Sequence, residues 1–127
     1  MERLVVDAIH LDQIREHGGL TGLRDENALE SALSRPRQKW HYEENSDLPT
    51  LAAAYGFGLC RNHAYRDGNK RVAFVVMVVF PELNSLTFNA PELEVVEVML
   101  ALAEGQLSEA DLADWLRSHC RKRRGAV

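Results

Sequence analysis

The sequence predicts a mainly all-α fold in a chain of 127 residues. Apolar residues recur at three- and four-residue spacings in most segments, as they do on one face of a helix. Several of these segments also begin after Asp or Ser and end before Gly, which are common helix start and stop signals. The length is that of one domain. We therefore expect a single domain over residues 1–127, with a basic, disordered tail from about 120 to 127.

The first two helices are predicted before residue 36. The first spans roughly Asp7 to His17 and stops at Gly18-Gly19, after which Gly18 to Gly22 is a loop. Asp25 then caps a short helix, and Pro36 ends it. The apolar stripe of this second helix consists of Ala28, Leu29, Ala32 and Leu33.

The middle of the chain is predicted to contain an exposed segment followed by a packed helix. The polar stretch from Arg37 to Asp47 is an exposed connection or a short hairpin, so the fold allows a small β-hairpin flap. Asp47 and Pro49 suit the start of a helix that runs to Cys60. Its alanines at 52–54 and its glycines at 56 and 58 allow a neighbouring helix to approach closely.

Periodicity leaves the apolar run from Val72 to Phe80 open, because its five valines favour a strand whereas an all-round apolar helix would be central and buried. Pro81 is expected to end the element in either case.

The remaining elements are a strand and two helices. Ser85 to Phe88 is a short strand. Pro91 to Ala103 is a helix that stops at Gly105, and Ser108 caps a last helix through about His119. The expected inner face of the helix over 91–103 is Leu93, Val96, Leu100 and Ala103.

Charge and cysteine content exclude some classes of protein. The last eleven residues carry five basic groups, which leaves 10 basic against 19 acidic groups elsewhere. An acidic body argues against direct DNA binding, which needs cations aimed at phosphates. Cys60 and Cys120 show no metal-binding spacing, and with no signal peptide we expect reduced thiols in a cytoplasmic protein. The apolar run of nine residues is too short to span a membrane.

The segment that carries chemistry is H-A-Y-R-D-G-N-K-R, from His63 to Arg71. If a helix follows, residues 68–70 form its N-terminus, where outward-pointing amides favour a phosphate. Lys70 and Arg71 add positive charge, and Asp67 offers the oxygen ligand that Mg²⁺ uses beside nucleotide phosphates. The pKa of histidine in water lies near neutrality, so His63 suits proton transfer.

An ordinary structural interpretation stays open on the residues alone: a polar turn between two core helices, with Asp67 as a cap and the cations solvated. The pattern is not that of a Walker phosphate loop. His63 and Asp67 have the spacing of two metal ligands on a helix, but Gly68 disfavours a continuous helix there. The remaining histidines are expected at the surface or at helix ends: His10, His17, His41 and His119.

The nine-residue motif resembles the Doc ("death on curing") branch of the Fic/Doc superfamily, whose pattern is H-x-F-x-D-[A/G]-N-K-R. The only substitution is Tyr65 for the usual phenylalanine, and its hydroxyl then needs a partner. The segment H-G-G-L-T-G-L-R-D-E-N-A-L-E-S-A-L from His17 and the closing P-E-L…G-Q-L-S…L-A-D-W-L-R pattern are also similar to this branch. The resemblance implies a helical bundle in which residues 70–80 form a buried central helix.

The resemblance also implies the roles of the site residues. His63 is the general base toward the hydroxyl of a target protein, and Asp67 holds Mg²⁺. Gly68 allows close approach of phosphate, and Asn69 orients phosphate through the loop. Lys70 and Arg71 bind the phosphates of ATP and stabilise charge in the transition state. A flap that docks the target peptide corresponds, weakly, to Lys39, Trp40, His41 and Tyr42, although the residues alone favour loop anchors as the role of the two aromatic side chains.

Lys70 bears on the reaction type. Most Fic relatives have glycine at this position and transfer AMP to a hydroxyl. Doc proteins with the lysine resemble kinases, and their target is EF-Tu. We expect transfer of the γ-phosphate, with AMP transfer as the alternative and a non-catalytic antitoxin-binding module as a second alternative.

The chain contains no match to the [S/T]-x-x-x-E-[G/N] motif with which many Fic proteins inhibit themselves. The resemblance implies that inhibition comes from a separate Phd-type antitoxin, whose disordered tail folds onto the toxin. We therefore expect a toxin of a bacterial toxin–antitoxin pair.

Overall fold

The computed structural model describes residues 1–43 and 46–123, in which six helices and one two-stranded sheet are found. The mainly α-helical fold is therefore confirmed. The elements in chain order are α1 (Arg3–His17), α2 (Glu26–Tyr42), α3 (Leu48–Arg61), α4 (Asn69–Leu83), β1 (Leu86–Phe88), α5 (Glu92–Ala103), α6 (Glu109–His119) and β2 (Cys120–Lys122).

The core is built around α3 and α4, which pack against each other. Ten of the 14 residues of α3 are buried, and this helix also contacts α2 and α6. Its glycines permit the predicted close approach: a Cβ atom at Gly56 would overlap the side chain of Met77 on α4, and one at Gly58 would lie 3.1 Å from Cα of Ala32. The second face of α4 contacts α1, so α4 is clamped between two helices.

Three helix caps predicted from the sequence are present. Asp25, Asp47 and Ser108 accept hydrogen bonds from backbone amides three residues later, at 3.0, 2.9 and 3.0 Å. Each bond satisfies an amide that has no acceptor within its own helix. The predicted stop of α1 at Gly18 is also confirmed, although this helix begins at Arg3 rather than near residue 7.

The prediction that Pro36 ends the second helix is wrong. The helix α2 continues to Tyr42, so residues 37–42 form neither a hairpin nor an open connection, and 44–45 lie outside the described residues. A proline inside a helix removes one backbone hydrogen bond and costs about 3 kcal/mol. Burial of Pro36 and the ion pairs that Arg35 and Lys39 form with Glu109 of α6 compensate for this loss.

The apolar run over residues 72–80 lies in a helix, as the family resemblance implied. Pro81 does not end this helix, since α4 runs on to Leu83 with Pro81 buried inside its last turn. The side-chain amide of Asn84 donates to the carbonyl of Phe80 at 2.8 Å, and the amide of Asn84 donates to the carbonyl of Pro81 at 2.9 Å. These bonds occupy carbonyls at the helix end and so stabilise the last turn, which contains the proline.

The predicted strand near residue 86 exists, and its partner is a segment that we expected to be a tail. Strand β1 pairs antiparallel with β2, with Phe88 opposite Cys120. The expectation of a disordered tail is therefore wrong for residues 120–122, and residues 124–127 lie outside the described part. The ring of Phe88 packs on Trp115 with centroids 5.4 Å apart, which gives the strand an apolar anchor.

The expected inner face of α5 is wrong. Leu93, Val96 and Leu100 are 72%, 49% and 44% exposed, whereas Met99 and Leu102 face the core. Apolar residues surround most of this helix, so their spacing could not indicate which side is buried. No helix within the described residues is long and apolar enough to cross a membrane.

Candidate active site

The motif predicted to carry chemistry lies in the loop between α3 and α4 and in the first turn of α4. Its side chains surround one surface pocket of about 360 Å³. The lining residues are Cys60, His63, Arg66, Asp67, Gly68, Asn69, Lys70, Arg71 and Ala103. The structure thus brings together the five polar or charged candidates of the motif, which are His63, Asp67, Asn69, Lys70 and Arg71, together with Gly68.

The N-terminus of α4 has no side-chain cap. Gly68 occupies the cap position in the left-handed conformation, with φ 74° and ψ 14°, and it has no side chain that could accept from the first amides of the helix. The amides of residues 69–71 precede the first one that can bond within the helix, which is that of Val72 to the carbonyl of Gly68 at 2.9 Å. An uncapped helix N-terminus of this kind suits an anion.

The cations in the first turn strengthen this interpretation. Lys70 and Arg71 stand where the helix dipole favours acidic residues, and the first turn of α4 contains none. Each misplaced cation is unfavourable by roughly 0.3–1 kcal/mol, and a bound phosphate would remove that cost. Lys70 is exposed, whereas Arg71 donates to the carbonyls of Gln13 and Gly18 at 3.2 and 2.9 Å, which uses two of its N–H groups.

Asn69 fixes the shape of the loop. Its Oδ1 accepts from the amide of Tyr65 and its Nδ2 donates to the carbonyl of the same residue, both at 3.0 Å. The side chain therefore closes the chain back on itself across four residues. Asn69 influences a ligand through the backbone that it holds rather than through a free amide group.

The carboxylate of Asp67 is held at the front of the pocket by backbone amides. Its two oxygens accept from Gly68 at 2.8 Å and from Leu20 at 3.1 Å. These bonds, that of Leu20 first, hold the pKa of Asp67 below its ordinary value, so the group is ionised at neutral pH. The Asp67 carboxylate can lie this close to the backbone of the α1–α2 connection only because residue 19 is glycine. Its φ is +123°, and a Cβ atom there would lie 2.7 Å from Oδ2 of Asp67.

His63 is exposed at the edge of the pocket and has φ 49°, an uncommon conformation for a residue with a side chain. Arg24 holds it there: Nε donates to the carbonyl of His63 at 2.6 Å and a second nitrogen donates to that of Asn62 at 3.2 Å. Nothing in the spacing of the sequence pointed to Arg24. Its partners are backbone carbonyls, which a sequence pattern does not reveal.

Comparison with known proteins decides the family. A model of the Fic/DOC family matches residues 2–81, which include the whole loop. The chain belongs to the Fic/DOC family. It is also 33% identical over 111 residues to "Protein kinase doc" of Escherichia phage P1, an alignment that covers 87% of this chain and 86% of that protein.

The segment expected to act as the target-docking flap of this Fic/DOC protein lies in the last turn of α2. Lys39, Trp40, His41 and Tyr42 form the last turn of α2, whose first turn lies next to the loop. Trp40 follows Glu26 by 14 residues, which is about 21 Å along a helix. This turn is therefore at the opposite end of α2 from the loop, and its docking of a target peptide stays a prediction. Trp40 and Tyr42 are 64% and 85% exposed, so they anchor no loop within residues 1–43 and 46–123.

The segment beside the motif is instead the connection between α1 and α2. Leu23 and Tyr65 form an isolated antiparallel bridge, and the amide of Arg66 donates to the carbonyl of Gly22 at 3.0 Å. The amides of Arg24 and Asp25 both donate to the carbonyl of Ala64, at 2.8 and 3.0 Å. Residues 22–25 thus hold the start of the Fic/DOC motif from one side.

Two further residues near the site, Cys60 and His10, are buried. Cys60 is buried in the wall of the pocket, and burial raises the pKa of its thiol, so it stays protonated and unreactive at neutral pH. The expectation of a surface position is wrong for His10, which is only 4% exposed and lies beneath the loop. Val6 and Ile14 flank it at four-residue spacing and are buried, but the exposed Leu4, Val5 and Leu11 on the other face of α1 obscure this stripe in the sequence.

We expect Asn69→Ala to loosen the loop without unfolding the protein. The amide and the carbonyl of Tyr65 would each lose a partner, and one lost hydrogen bond is worth about 1 kcal/mol. The amide of Tyr65 should therefore exchange with solvent roughly fivefold faster in NMR hydrogen-exchange measurements.

Asn84→Ala, at the other end of α4, is the matched control and should leave exchange at Tyr65 unchanged. Equal exchange at Tyr65 in the wild type and in Asn69→Ala would contradict the role that we assign to Asn69.

Proposed function

We propose that this protein is a toxin that transfers the γ-phosphate of ATP to a serine or threonine hydroxyl of an EF-Tu-like translation factor and so arrests protein synthesis. The observation that carries the proposal is the pocket at the uncapped N-terminus of α4, which unites a phosphate-binding backbone with an exposed histidine, an ionised carboxylate and two cations. The relative from phage P1, named a protein kinase, supports the choice of reaction.

In this proposal His63 accepts the proton of the target hydroxyl, and the hydroxyl oxygen forms a bond to the γ-phosphorus. The bond from that phosphorus to the β–γ bridging oxygen breaks, and ADP leaves with the electron pair. The imidazole of His63 hydrogen-bonds no group of residues 1–43 or 46–123, so its nitrogens are available to a substrate. The exposed ammonium of Lys70 and the remaining N–H groups of Arg71 stabilise the developing charge.

Asp67 is suited to hold Mg²⁺. The ion is usually bound through one or two carboxylates together with substrate phosphates, and Asp67 is ionised beside the phosphate-binding amides. No cluster of three metal-ligating side chains occurs among the described residues. When bound, Mg²⁺ would neutralise part of the negative charge on the phosphates of ATP.

An antitoxin is proposed to cover the groove between α4 and α5. This groove of about 240 Å³ has Lys70 and Arg71 at one end, and the exposed Val96 and Leu100 form part of its wall. An amphipathic helix with acidic residues complements it in both shape and charge. Since the cations also belong to the active site, such a helix would block ATP.

The reaction is tested by incubating purified protein with Mg²⁺, EF-Tu and ATP labelled at the γ- or the α-phosphate. We expect label on EF-Tu from the γ position only. The rate of labelling should fall at least 100-fold in His63→Ala, because general-base catalysis contributes about that much.

Lys70→Gly should also slow transfer of the γ-phosphate in the same assay, because it removes the exposed ammonium group. Unchanged transfer would refute the proposed role of Lys70 in stabilising the developing charge.

Label from the α position would mean AMP transfer. Label from neither would refute EF-Tu as the target, and growth arrest that persists in His63→Ala would favour the non-catalytic module.

We expect Val96→Glu and Leu100→Glu to retain phosphoryl transfer while losing neutralisation by the antitoxin, which should be encoded beside this gene. An acidic side chain buried against an apolar partner costs several kcal/mol, so co-expression should no longer restore growth. Leu83→Glu, which is exposed at the far end of α4, is the control.

Neutralisation that is unchanged in the two α5 variants would place the antitoxin elsewhere. Harmless expression of the wild-type toxin alone would contradict the need for an antitoxin.

A further inference from the structure

Two aromatic rings are stacked beneath the active-site loop. His10 of α1 and Tyr65 of the loop lie with ring centroids 3.8 Å apart and planes 7° from parallel. Both residues are buried, with 4% and 3% of their surfaces exposed. The two rings lie face to face, so the loop rests on a flat aromatic surface of α1.

His10 also contacts the main chain of Asp67. Its Nε2 lies 2.8 Å from the carbonyl oxygen of that residue. A carbonyl only accepts hydrogen bonds, so Nε2 carries a proton and donates. The residue that presents a carboxylate to the pocket is thus held at three points: by His10 at its carbonyl and by the amides of Leu20 and Gly68 at its carboxylate.

Tyr65 connects the stacked pair and the loop above it to the rest of the protein. Its hydroxyl donates to Oδ1 of Asp7 at 2.7 Å, and burial together with this bond raises the pKa of Tyr65, so the hydroxyl remains a donor. Asp7 pairs with Arg3 at 3.4 Å, and Arg3 donates to Glu30 of α2 at 2.9 Å. The loop is therefore connected through polar contacts to both α1 and α2.

An apolar ring at position 10 would fill the core equally well, so packing alone does not account for the histidine. A leucine or phenylalanine there would leave the carbonyl of Asp67 without its buried donor. Gly68, the next residue, packs closely on α1 in the wild type, since a Cβ atom there would lie 3.1 Å from Cδ1 of Ile14 and 3.6 Å from Nε2 of His10. The donor is what the histidine adds.

We propose that His10 is a positioning residue for cation-dependent nucleotide binding: it sets the direction of the Asp67 carboxylate by holding the Asp67 carbonyl, and Tyr65 with Asp7 holds the imidazole in place. This inference rests on the proposed function in one respect, namely that Asp67 binds Mg²⁺. The position of Asp67 itself is a property of the free protein and can be measured without nucleotide.

Two variants of His10 separate the effect of its N–H donor from that of its aromatic ring, and a third variant is the control. His10→Phe keeps the stack and removes the donor, whereas His10→Gln removes the ring and keeps an N–H at a similar reach. His17→Gln makes the same chemical change at an exposed position on α1 and is the control. Melting temperatures identify any variant that fails to fold, and Tyr65→Phe then serves as the milder variant, since it keeps the stack and loses only the bond to Asp7.

Binding of ATP is measured by calorimetry over a range of Mg²⁺ concentrations. We expect His10→Phe to need about five- to tenfold more Mg²⁺ for half-maximal binding, as for the loss of one hydrogen bond, while ATP binding without Mg²⁺ is unchanged. His10→Gln and His17→Gln should stay within about twofold of the wild type. Tyr65→Phe should lie between the wild type and His10→Phe.

Hydrogen exchange of the free protein tests the geometry independently. The amides of Leu20 and Gly68 should exchange about fivefold faster in His10→Phe and at wild-type rates in His17→Gln. Unchanged exchange and unchanged Mg²⁺ dependence in His10→Phe would overturn the inference, and so would equal shifts in His10→Phe and His10→Gln. A wild type that binds ATP without any effect of Mg²⁺ would refute the role proposed for Asp67 in the reaction, and exchange would still decide whether His10 positions Asp67.

Discussion

The N-terminus of α4 has to remain free of a capping side chain if it is to bind an anion, and the surrounding structure depends on this constraint. Three of the other described helices, α2, α3 and α6, begin with a side chain that accepts a hydrogen bond from a first-turn amide, namely Asp25, Asp47 and Ser108. At α4 the equivalent stabilisation is absent, and the first turn contains Lys70 and Arg71 in an unfavourable field. The loop must therefore obtain its rigidity from contacts that leave the amides open.

Those contacts come from three directions. Asn69 closes the loop from inside, residues 22–25 hold its start, and α1 supports it from below. These contacts hold the backbone of the loop, while the side chains of Asp67 and Arg71, which face the pocket, are held by backbone groups of residues 13–20. The tight packing of α3 on α4, which Gly56 permits, keeps the helix that carries the site fixed relative to its preceding loop. None of these contacts occupies the amides of residues 69–71.

Much of this arrangement could be predicted from the sequence, because it depends on local signals. The caps at Asp25, Asp47 and Ser108, the strand at 86–88 and the cluster of polar residues from His63 to Arg71 are all such signals. The continuation of helices through Pro36 and Pro81 depends on tertiary burial, which local propensity does not contain. The exposed face of α5 and the buried His10 could not be predicted for a related reason, since apolar spacing does not identify the neighbour of a helix. Arg24 was missed because it acts on backbone carbonyls.

The most direct test of the account is a crystal structure of the His63→Ala variant with Mg²⁺ and a non-hydrolysable ATP analogue. We expect the γ-phosphate to lie against the amides of residues 69–71, next to Lys70 and position 63, with Mg²⁺ on the carboxylate of Asp67. An analogue whose α-phosphate lies against those amides, with the γ-phosphate pointing away from position 63, would contradict phosphoryl transfer and indicate AMP transfer instead.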